Sequence, residues 1–245
     1  MTDTPIDLPR GLKLMWGIDD GARRGPKPAL TAEAITTAAV GIADAEGLAA
    51  VSMSKIAKAL GYTAMSLYRY VDSKQDLVEM MVDAVYGSPP ELAGGADWRE
   101  QSADWTRGVV ERLRRHPWVL QVQLDTPPVW PNSTAWMEQG LRALAGTGLD
   151  VQRKLSALLM LEGYARNNVA MVQQFAGGDA DDAGLGERYV ARMRALVDPE
   201  RFPEVFGAVV AGGFEGEGDF PQDEFEFGLE VILNGIAKLT RHRAR

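Results

Sequence analysis

One segment, from Thr31 to Tyr86, constrains the fold more than any other part of this 245-residue chain. It reads TAEAITTAAVGIADAEGLAAVSMSKIAKALGYTAMSLYRYVDSKQDLVEMMVDAVY. Apolar residues recur in it at helical spacing, and Gly47, Gly61 and capping hydroxyls interrupt them. The order predicts a capped helix, two short helices joined by a glycine turn, and another helix after Ser73. That is the layout of a helix-turn-helix unit that leads directly into a longer helix.

Capping residues place the helix boundaries in this segment. Thr31 and Ser52 are good N-caps for the first two helices, because a hydroxyl can accept a hydrogen bond from the first turn. The third helix is predicted over Thr63–Tyr70, with Leu67 as its buried anchor. Ser73 begins a capping-box pattern that starts the fourth helix. The segment therefore contains its own start and stop signals.

The third helix has the composition of a DNA-reading element. Arg69 suits a bidentate contact to guanine, and Ala64 or Met65 suits a thymine methyl group. Hydroxyls, tyrosines and Lys74 suit phosphates. The alternative is an ordinary three-helix packing unit with a polar face. The expected DNA contacts in this unit are Ser52, Ser54, Thr63, Ala64, Met65, Ser66, Tyr68, Arg69, Tyr70 and Lys74.

A basic segment precedes the first helix of this unit. Glycine and proline residues between positions 21 and 29 oppose a helix there, so the sequence predicts an extended arm. Arg23, Arg24 and Lys27 give the arm its charge, which suits a DNA backbone or minor groove. A solvated linker is the alternative interpretation.

The overall charge hides this basic region. The chain carries a formal net charge of -8, which by itself argues against binding to DNA. Residues 21–75, however, contain seven Lys and Arg against four Asp and Glu, a local charge of +3 that leaves -11 elsewhere. Because salt screens charges over roughly 8–10 Å, the local patch matters more for phosphate binding than the total.

The run GLAAVSMSKIAKALGYTAMSLYRYVDSKQDLVEMMVDAV resembles the N-terminal domain of the TetR (tetracycline-repressor-like) family of bacterial regulators. FEFGLEVILNGI, from Phe225 to Ile236, is more weakly similar to the end of the effector domain in the branch closest to the tetracycline repressor. The resemblance implies an all-α homodimer with a DNA-reading head and an effector-binding body that releases DNA when its ligand binds. The residues that carry it in the head are Gly47, Ile56, Ala57, Leu60, Gly61, Leu67, Tyr68, Tyr70, Val71, Lys74 and Leu77.

The rest of the chain continues with helical patterns and without strand-like alternation. We therefore predict an all-α protein with three parts. Residues 1–29 form a flexible basic arm, residues 30–75 the helix-turn-helix domain, and residues 76–245 an effector-binding and dimerisation domain. A connector helix over residues 74–86 joins the last two parts.

A long helix over Val151–Phe175 is apolar on more than one side, which is typical of a central helix. Its mixture of aromatic, thioether and amide groups resembles the lining of a small-molecule pocket. Plain core packing is the alternative for each residue, and Glu162 can instead pair with Arg166 at i, i+4. The expected ligand-binding residues are Trp105, Trp136, Met137, Met160, Glu162, Tyr164, Asn167, Met171 and Phe175.

The last predicted helix, Asp223–Thr240, has one apolar face and two glycines, Gly228 and Gly235, spaced to allow close helix approach. Together with Val151–Phe175 it is expected to form a dimer interface, as an intersubunit four-helix bundle. An intrachain core helix is the alternative. A twofold dimer would bind a palindromic DNA operator.

Other chemistry has little support in the sequence. The chain has no cysteine and only two histidines, and neither histidine is in helical register with a second metal ligand. We expect no metal, no cofactor and no catalytic site, and no apolar run long enough for a membrane span is present. A cytoplasmic regulator, most simply a repressor, is the expectation. The competing hypothesis is a small-molecule-binding or catalytic helical protein whose head has lost DNA affinity.

Overall fold

A computed structural model describes residues 8–18, 30–92, 97–124, 126–176, 185–214 and 220–241 of the chain. Within these ranges the regular structure consists of α-helices and short 3-10 turns, with no strand. The prediction of an all-α fold is confirmed. No helix in the described ranges is long and apolar enough to cross a membrane.

Hydroxyl caps start three helices of the head and connector, as the sequence predicts. Thr31 Oγ1 accepts a hydrogen bond from the Ala34 amide at 3.1 Å, and Ser73 Oγ accepts one from the Asp76 amide at 3.0 Å. Ser52 caps the second helix in the same way. The head and connector helices are α1 (Arg10–Met15), α2 (Ala32–Glu46), α3 (Met53–Leu60), α4 (Ala64–Leu67) and α5 (Lys74–Tyr86).

The head has a single apolar centre to which each of the helices α2 to α5 contributes. Ile35, Ile56, Leu67, Leu77 and Met81 are each 0% exposed. Removing side chains of this size from water contributes about 1.5–3 kcal/mol each relative to exposure. The core therefore fixes α4 against α3, although α4 is too short to be stable alone.

The N-terminal part of the chain differs from the prediction. The sequence predicts a flexible arm over residues 1–29, but within that range Arg10–Met15 forms helix α1, which packs against the start of α5. Residues 1–7 and 19–29 of the predicted arm lie outside the described residues. Gly11 is buried in this contact, and a Cβ atom at that position would lie 3.4 Å from Asp76 Cβ. The physical reason is tertiary, since α1 has no side-chain cap and gains its stability from the surface of α5.

The body is built around α8, which packs against α6, α7 and α11. Buried residues on α8 include Leu158, Leu161 and Val169, and on α11 they include Phe225 and Leu229. The helices α9 and α10 pack against each other. The body helices are α6 (Trp98–Arg115), α7 (Pro131–Ala143), α8 (Val151–Ala176), α9 (Leu185–Leu196), α10 (Pro203–Val210) and α11 (Phe220–Arg241).

Helix α11 is held to α8 and α6 by specific contacts. The Tyr164 hydroxyl donates to the carbonyl oxygens of Glu224 and Phe225 at 2.9 and 3.0 Å, and the Tyr164 ring stacks on Phe225. Arg107 binds Glu226 through two nitrogens at 3.0 and 2.8 Å. Gly228 is required for this approach, because a Cβ there would lie 2.2 Å from the Tyr164 hydroxyl oxygen.

Candidate DNA-binding and effector-binding surfaces

A tight glycine turn sets the angle between α3 and α4. Gly61 ends α3 in the left-handed conformation, with φ +75° and ψ +27°, which glycine adopts without steric cost. The Tyr62 amide then donates to the Ala57 carbonyl at 2.8 Å, and Thr63 begins α4. This turn, together with the buried side chain of Leu67, holds the rest of α4 at the protein surface.

The structure leaves most of the predicted DNA contacts of the head exposed, on α3 and α4, in the turn after α4 and at the start of α5. Met65 is 77% exposed and Tyr68 is 45% exposed, although both are large apolar or aromatic side chains. Thr63 Oγ1 and Ser66 Oγ share a hydrogen bond of 2.9 Å, which orders the start of the helix. Exposed members of the set are Ser52, Ser54, Thr63, Met65, Tyr68, Arg69 and Lys74, and half-buried members are Ala64, Ser66 and Tyr70.

The predicted arm contacts Arg23, Arg24 and Lys27 lie outside the described residues. Ser52 uses its hydroxyl oxygen to accept from the Lys55 amide at 3.3 Å, so only its remaining hydrogen-bonding capacity is free for a phosphate. Lys55 itself, which the sequence analysis did not single out, pairs with Glu46.

The connector helix α5 is fixed to the body at its C-terminal end. Buried Asp83 accepts hydrogen bonds from the backbone amides of Asn132 and Ser133, both at 3.0 Å, and so caps the N-terminus of α7. The Asn132 side chain in turn donates to the Asp83 carbonyl and carboxylate. Trp136 on α7 donates to the Gly87 carbonyl at 3.0 Å. A displacement of α7 therefore moves α5 with it.

A second junction joins the body to α2 of the head. Asp44 Oδ1 accepts a hydrogen bond from Trp118 Nε1 at 2.7 Å and lies 2.8 Å from His116 Nδ1. Trp118 is 2% exposed and lies in the 3-10 turn Pro117–Gln121 that follows α6. His116 thus contributes to the junction between head and body. The sequence shows this histidine only as one that lacks a second metal ligand in helical register.

Replacing Asp83 with alanine is expected to lower the free energy of unfolding by about 2 kcal/mol, the upper range for loss of an N-cap. The variant leaves the amides of Asn132 and Ser133 without their acceptor in a buried site. Chemical denaturation at a fixed protein concentration measures the change. Asp83→Asn, which keeps one acceptor oxygen, serves as the matched control and should recover part of the loss.

The same residue predicts a pH dependence. Burial raises the pKa of Asp83 above its ordinary value, in spite of the hydrogen bonds from Ser133 and Asn132 that lower it. In the pH range between the ordinary and the raised value the folded state binds more protons, so stability falls as pH rises through that range. This slope should be absent from Asp83→Ala. An unchanged slope, or equal stability of Asp83→Ala and wild type at pH 7, would contradict the assignment.

Two of the predicted effector-binding residues form an aromatic cluster inside the body. Trp105 and Trp136 are both 3% exposed, with ring centroids 5.9 Å apart in an edge-to-face arrangement. Trp105 Nε1 donates to the Trp136 carbonyl at 2.9 Å. Tyr86, from the connector helix, packs edge-to-face on Trp136 at 6.1 Å. The cluster therefore links α5, α6 and α7.

A carboxylate and a guanidinium lie next to this cluster. Arg166 Nη1 donates to the Tyr86 hydroxyl at 3.4 Å, and Arg166 acts on Glu162 through its charge. Burial raises the pKa of Glu162, and the positive charge of Arg166 only partly opposes this effect. Burial, followed by the charge of Glu162, raises the pKa of the Tyr86 phenol. Among the described residues, Glu162 therefore has no cation in ion-pair contact and is influenced only by the charge of Arg166.

The remaining predicted effector-binding residues are not brought to this cluster. Met137 is 44% exposed on α7, while Met160 and Met171 are 57% and 48% exposed on the outer side of α8. Asn167 is exposed on that same side, where its amide contacts Met171 Sδ at 3.5 Å. Tyr164 packs against α11, and the Phe175 side chain lies outside the described residues. The nine residues therefore do not line one cavity.

A cleft of about 210 Å³ lies elsewhere, between α1, the first half of α5 and the segment before α7. Leu12, Met15 and Trp130 contribute apolar surface to it, and Asp76 and Glu79 contribute carboxylates. The predicted effector-binding residues are not among those that line it. In the described part of the chain, no group of three or more His, Asp and Glu side chains is arranged to hold a metal ion.

A helix-turn-helix head with an exposed recognition helix, joined through one connector helix to a larger helical body, defines a DNA-binding transcriptional regulator. Comparison with known families agrees with this class. The family "Bacterial regulatory proteins, tetR family" matches residues 35–81, and "Tetracyclin repressor-like, C-terminal domain" matches residues 89–240. The chain belongs to the TetR family of bacterial transcriptional regulators, and the resemblance noted in the sequence is confirmed.

Individual relatives are similar over nearly the whole chain. The HTH-type transcriptional repressor DrrR1 of Streptomyces coeruleorubidus is 35% identical over 244 residues, which cover 97% of this chain and 88% of DrrR1. An HTH-type transcriptional regulator of Saccharopolyspora erythraea is 29% identical over 212 residues, 86% of each chain.

Solved structures show the same fold. Apo ActR from Streptomyces coelicolor superposes with a TM-score of 0.74 at 24% identity, covering 89% of this chain and 100% of ActR. ActR in complex with actinorhodin also has a TM-score of 0.74 at 24% identity, with 88% and 99% coverage. At this level of identity the likeness concerns the fold.

Proposed function

We propose that this protein is a homodimeric transcriptional repressor that a small-molecule ligand releases from a palindromic operator. The observation that carries the proposal is the exposed face of α4, which is held in place by buried Leu67 and bordered by Arg69 and Lys74. The name of DrrR1 as a transcriptional repressor supports the direction of regulation. The site of action is the cytoplasm, and the function requires no catalytic step, metal or cofactor.

Two kinds of DNA contact follow from the positions of the side chains. Arg69, Ala64 and Met65 face the major groove and read base edges, while Ser54, Tyr68 and Lys74 bind phosphates. The arm carrying Arg23, Arg24 and Lys27 adds sequence-independent affinity along the backbone. In the dimer, the two copies of α4 enter successive major grooves about 34–36 Å apart.

The dimer surface consists of the exposed apolar residues of α8 and α11, which flank the line where the two helices meet. These exposed apolar side chains form a patch of the kind that marks interaction sites, and the charged residues of α8 between Leu159 and Met171, Glu162 and Arg166, are both half-buried. Pairing with a second copy buries them in a four-helix bundle. We define this dimer surface as Leu159, Met160, Met171, Phe227, Val231 and Leu239.

The effector site lies beside the aromatic cluster of Tyr86, Trp105 and Trp136. Half-buried Glu162 supplies a carboxylate whose charge Arg166 only partly offsets, and Trp136 joins the cluster to the connector helix. A ligand that binds there displaces α5 and α7 together, because the cluster contains Tyr86 of α5 and Trp136 of α7. The structures of ActR with actinorhodin and with (S)-DNPA support the choice of a small organic molecule as the effector.

Release requires that the ligand prefer a body conformation in which the two heads have a different separation. The ligand can shift this equilibrium only by its difference in affinity for the two states, typically about 1–3 kcal/mol for allosteric coupling. Asp83 on α5 binds the N-terminus of α7, and Trp136 on α7 binds the residue that ends α5. The connector helix therefore transmits this conformational change from the body to the head.

Replacing Arg69 with alanine is expected to cost about 1–3 kcal/mol of operator affinity and to relax sequence preference at one base pair, because a bidentate base contact is lost. Lys74→Ala should instead weaken binding evenly across sequences and reduce its salt dependence. Fluorescence anisotropy with the operator and with single-base variants measures both effects. An equal, sequence-independent loss from the two variants would show that Arg69 does not read a base.

A gel-shift with DNA from the region around the gene of this protein tests the proposed function itself. A shift that sharpens to one palindromic site, with two protomers bound, supports it. Failure to bind any such DNA at low ionic strength would favour the competing hypothesis of a small-molecule-binding protein with an inactive head.

A further inference from the structure

We propose that α1 is a positioning clasp for the recognition helix, with Arg10 holding the end of α4 and Trp16 tying α1 to the body. The inference rests on the proposed function for its consequence in DNA binding, but its structural part can be tested without DNA. A clasp of this kind provides a further non-covalent connection between the body and the recognition helix, in addition to the connector helix α5 and the junction at Asp44.

One end of the clasp contacts the segment that follows α4. The Arg10 guanidinium donates to the Arg69 carbonyl, and its Nη1 lies 3.7 Å from Asp72 Oδ1. Carbonyl groups at the end of a helix have no donor within the helix, so a guanidinium is a suitable partner. The bond fixes the backbone of Arg69, the same residue whose side chain we assign to a base. Arg10 is therefore a positioning residue.

The middle of the clasp lies directly on α5. Gly11 is buried against the Cβ of Asp76 at the start of the connector, and the side chains of Leu12 and Met15 pack against the apolar core. This close contact keeps α1 in register with the turn between α4 and α5. A shift of α1 along α5 would pull on Arg69 through Arg10.

The other end of the clasp contacts the body. Trp16 Nε1 donates to the Val129 carbonyl at 2.8 Å. Val129 is followed by Trp130, which is 4% exposed, and by Pro131, the first residue of α7. The tie is thus made beside the N-terminus of α7, the helix end that Asp83 caps. Movement of α7 caused by an effector therefore reaches α4 through α1 as well as through α5.

The test is hydrogen exchange of the full-length protein, followed by mass spectrometry of peptides that cover residues 64–72. Trp16→Phe removes the indole donor but keeps an aromatic ring, and Arg10→Gln removes the guanidinium. Leu14→Ala is the matched control, because Leu14 lies on the same helix and is 40% exposed. Trp16→Phe is the decisive variant, since its hydrogen bond is to the body and not to residues 64–72.

We expect Arg10→Gln and Trp16→Phe each to speed exchange over residues 64–72 by about threefold or more, the effect of losing one net hydrogen bond. Leu14→Ala should leave that exchange unchanged. Unchanged protection in Trp16→Phe, or an equal loss of protection in Leu14→Ala, would overturn the clasp.

Operator affinity provides the second measurement. Trp16→Phe and Arg10→Gln should each weaken binding about threefold or more, and the double variant should lose less than the product of the two, since both act through one element. If the fold-loss of affinity in the double variant equals the product of the two single losses, the two residues act independently and the clasp proposal is wrong. If wild type binds no DNA while exchange responds as expected, the clasp holds and the proposed function fails.

Discussion

Replacing Val231 with glutamate is expected to dissociate the proposed dimer and to weaken binding to the proposed operator by more than about 100-fold. Val231 is 53% exposed in the single chain and lies at the centre of the proposed dimer surface on α11. An unpaired charge buried in an interface costs about 3–5 kcal/mol, and the twofold symmetry introduces it twice. Since each 1.4 kcal/mol is about tenfold in an equilibrium constant, little dimer would remain at micromolar concentration.

Analytical ultracentrifugation and DNA anisotropy measure the two parts of this expectation. Val151→Glu is the matched control, because Val151 is 71% exposed but lies at the first residue of α8, outside the dimer surface. It should leave both the dimer and operator binding intact. A Val231→Glu protein that remains dimeric would show that the two subunits meet on another face.

Replacing Trp136 with alanine is expected to lower the free energy of unfolding by about 3–5 kcal/mol, the usual cost of truncating a buried aromatic residue. Trp136 is 3% exposed, contacts the rings of Tyr86 and Trp105, and donates to the Gly87 carbonyl. Its loss removes packing from α5, α6 and α7 at once. Denaturant unfolding at constant protein concentration, so that dimerisation contributes equally, measures the change.

The neighbouring residue provides the control for this experiment. Met137 is 44% exposed, and Met137→Ala should change the free energy of unfolding by no more than about 0.5 kcal/mol. If Trp136→Ala lowers the free energy of unfolding by less than about 1 kcal/mol, the aromatic cluster does not stabilise the junction between the connector helix and the body. Comparing the two variants distinguishes the contribution of the buried side of α7 to stability from that of its exposed side.

The head was predictable from sequence because its signals are local. Each hydroxyl cap lies within three residues of the amide that it binds, as at Thr31, Ser52 and Ser73. The connector helix was predicted over residues 74–86, and α5 has those bounds. Only the extent of the recognition helix differs, because regular α-helix ends at Leu67 and the chain continues to Tyr70 as a turn.

Helix α1 could not be predicted in this way. Six residues are too few to form a helix alone, and Pro9 supplies no side-chain cap. The contacts that stabilise α1 are made with Asp76 and Val129, which are distant in sequence. The run PRGLKLMW contains apolar residues at positions 12 and 15, which is a weak helical pattern. In the structure these two side chains pack against the apolar core.

The predicted effector residues illustrate a second limit. Helical spacing placed Met160, Asn167 and Met171 on one side of α8, and the structure places them together there. Periodicity cannot tell whether such a side faces a ligand pocket, the protein core or a partner subunit, because each of these three environments favours apolar side chains. The exposure of these residues assigns them to the side proposed for dimerisation, while Trp105 and Trp136 remain inside.

The amino-acid sequence by itself determined the helix boundaries, the helix-turn-helix unit and the family, because caps, turns and apolar periods act over a few residues. Tertiary structure alone decided which face of α8 is covered, that Asp83 and Asp44 join head to body, and that α1 spans both. These features depend on the meeting of groups that lie far apart along the chain. Their energy comes from burial and hydrogen bonds that exist only after the helices have packed.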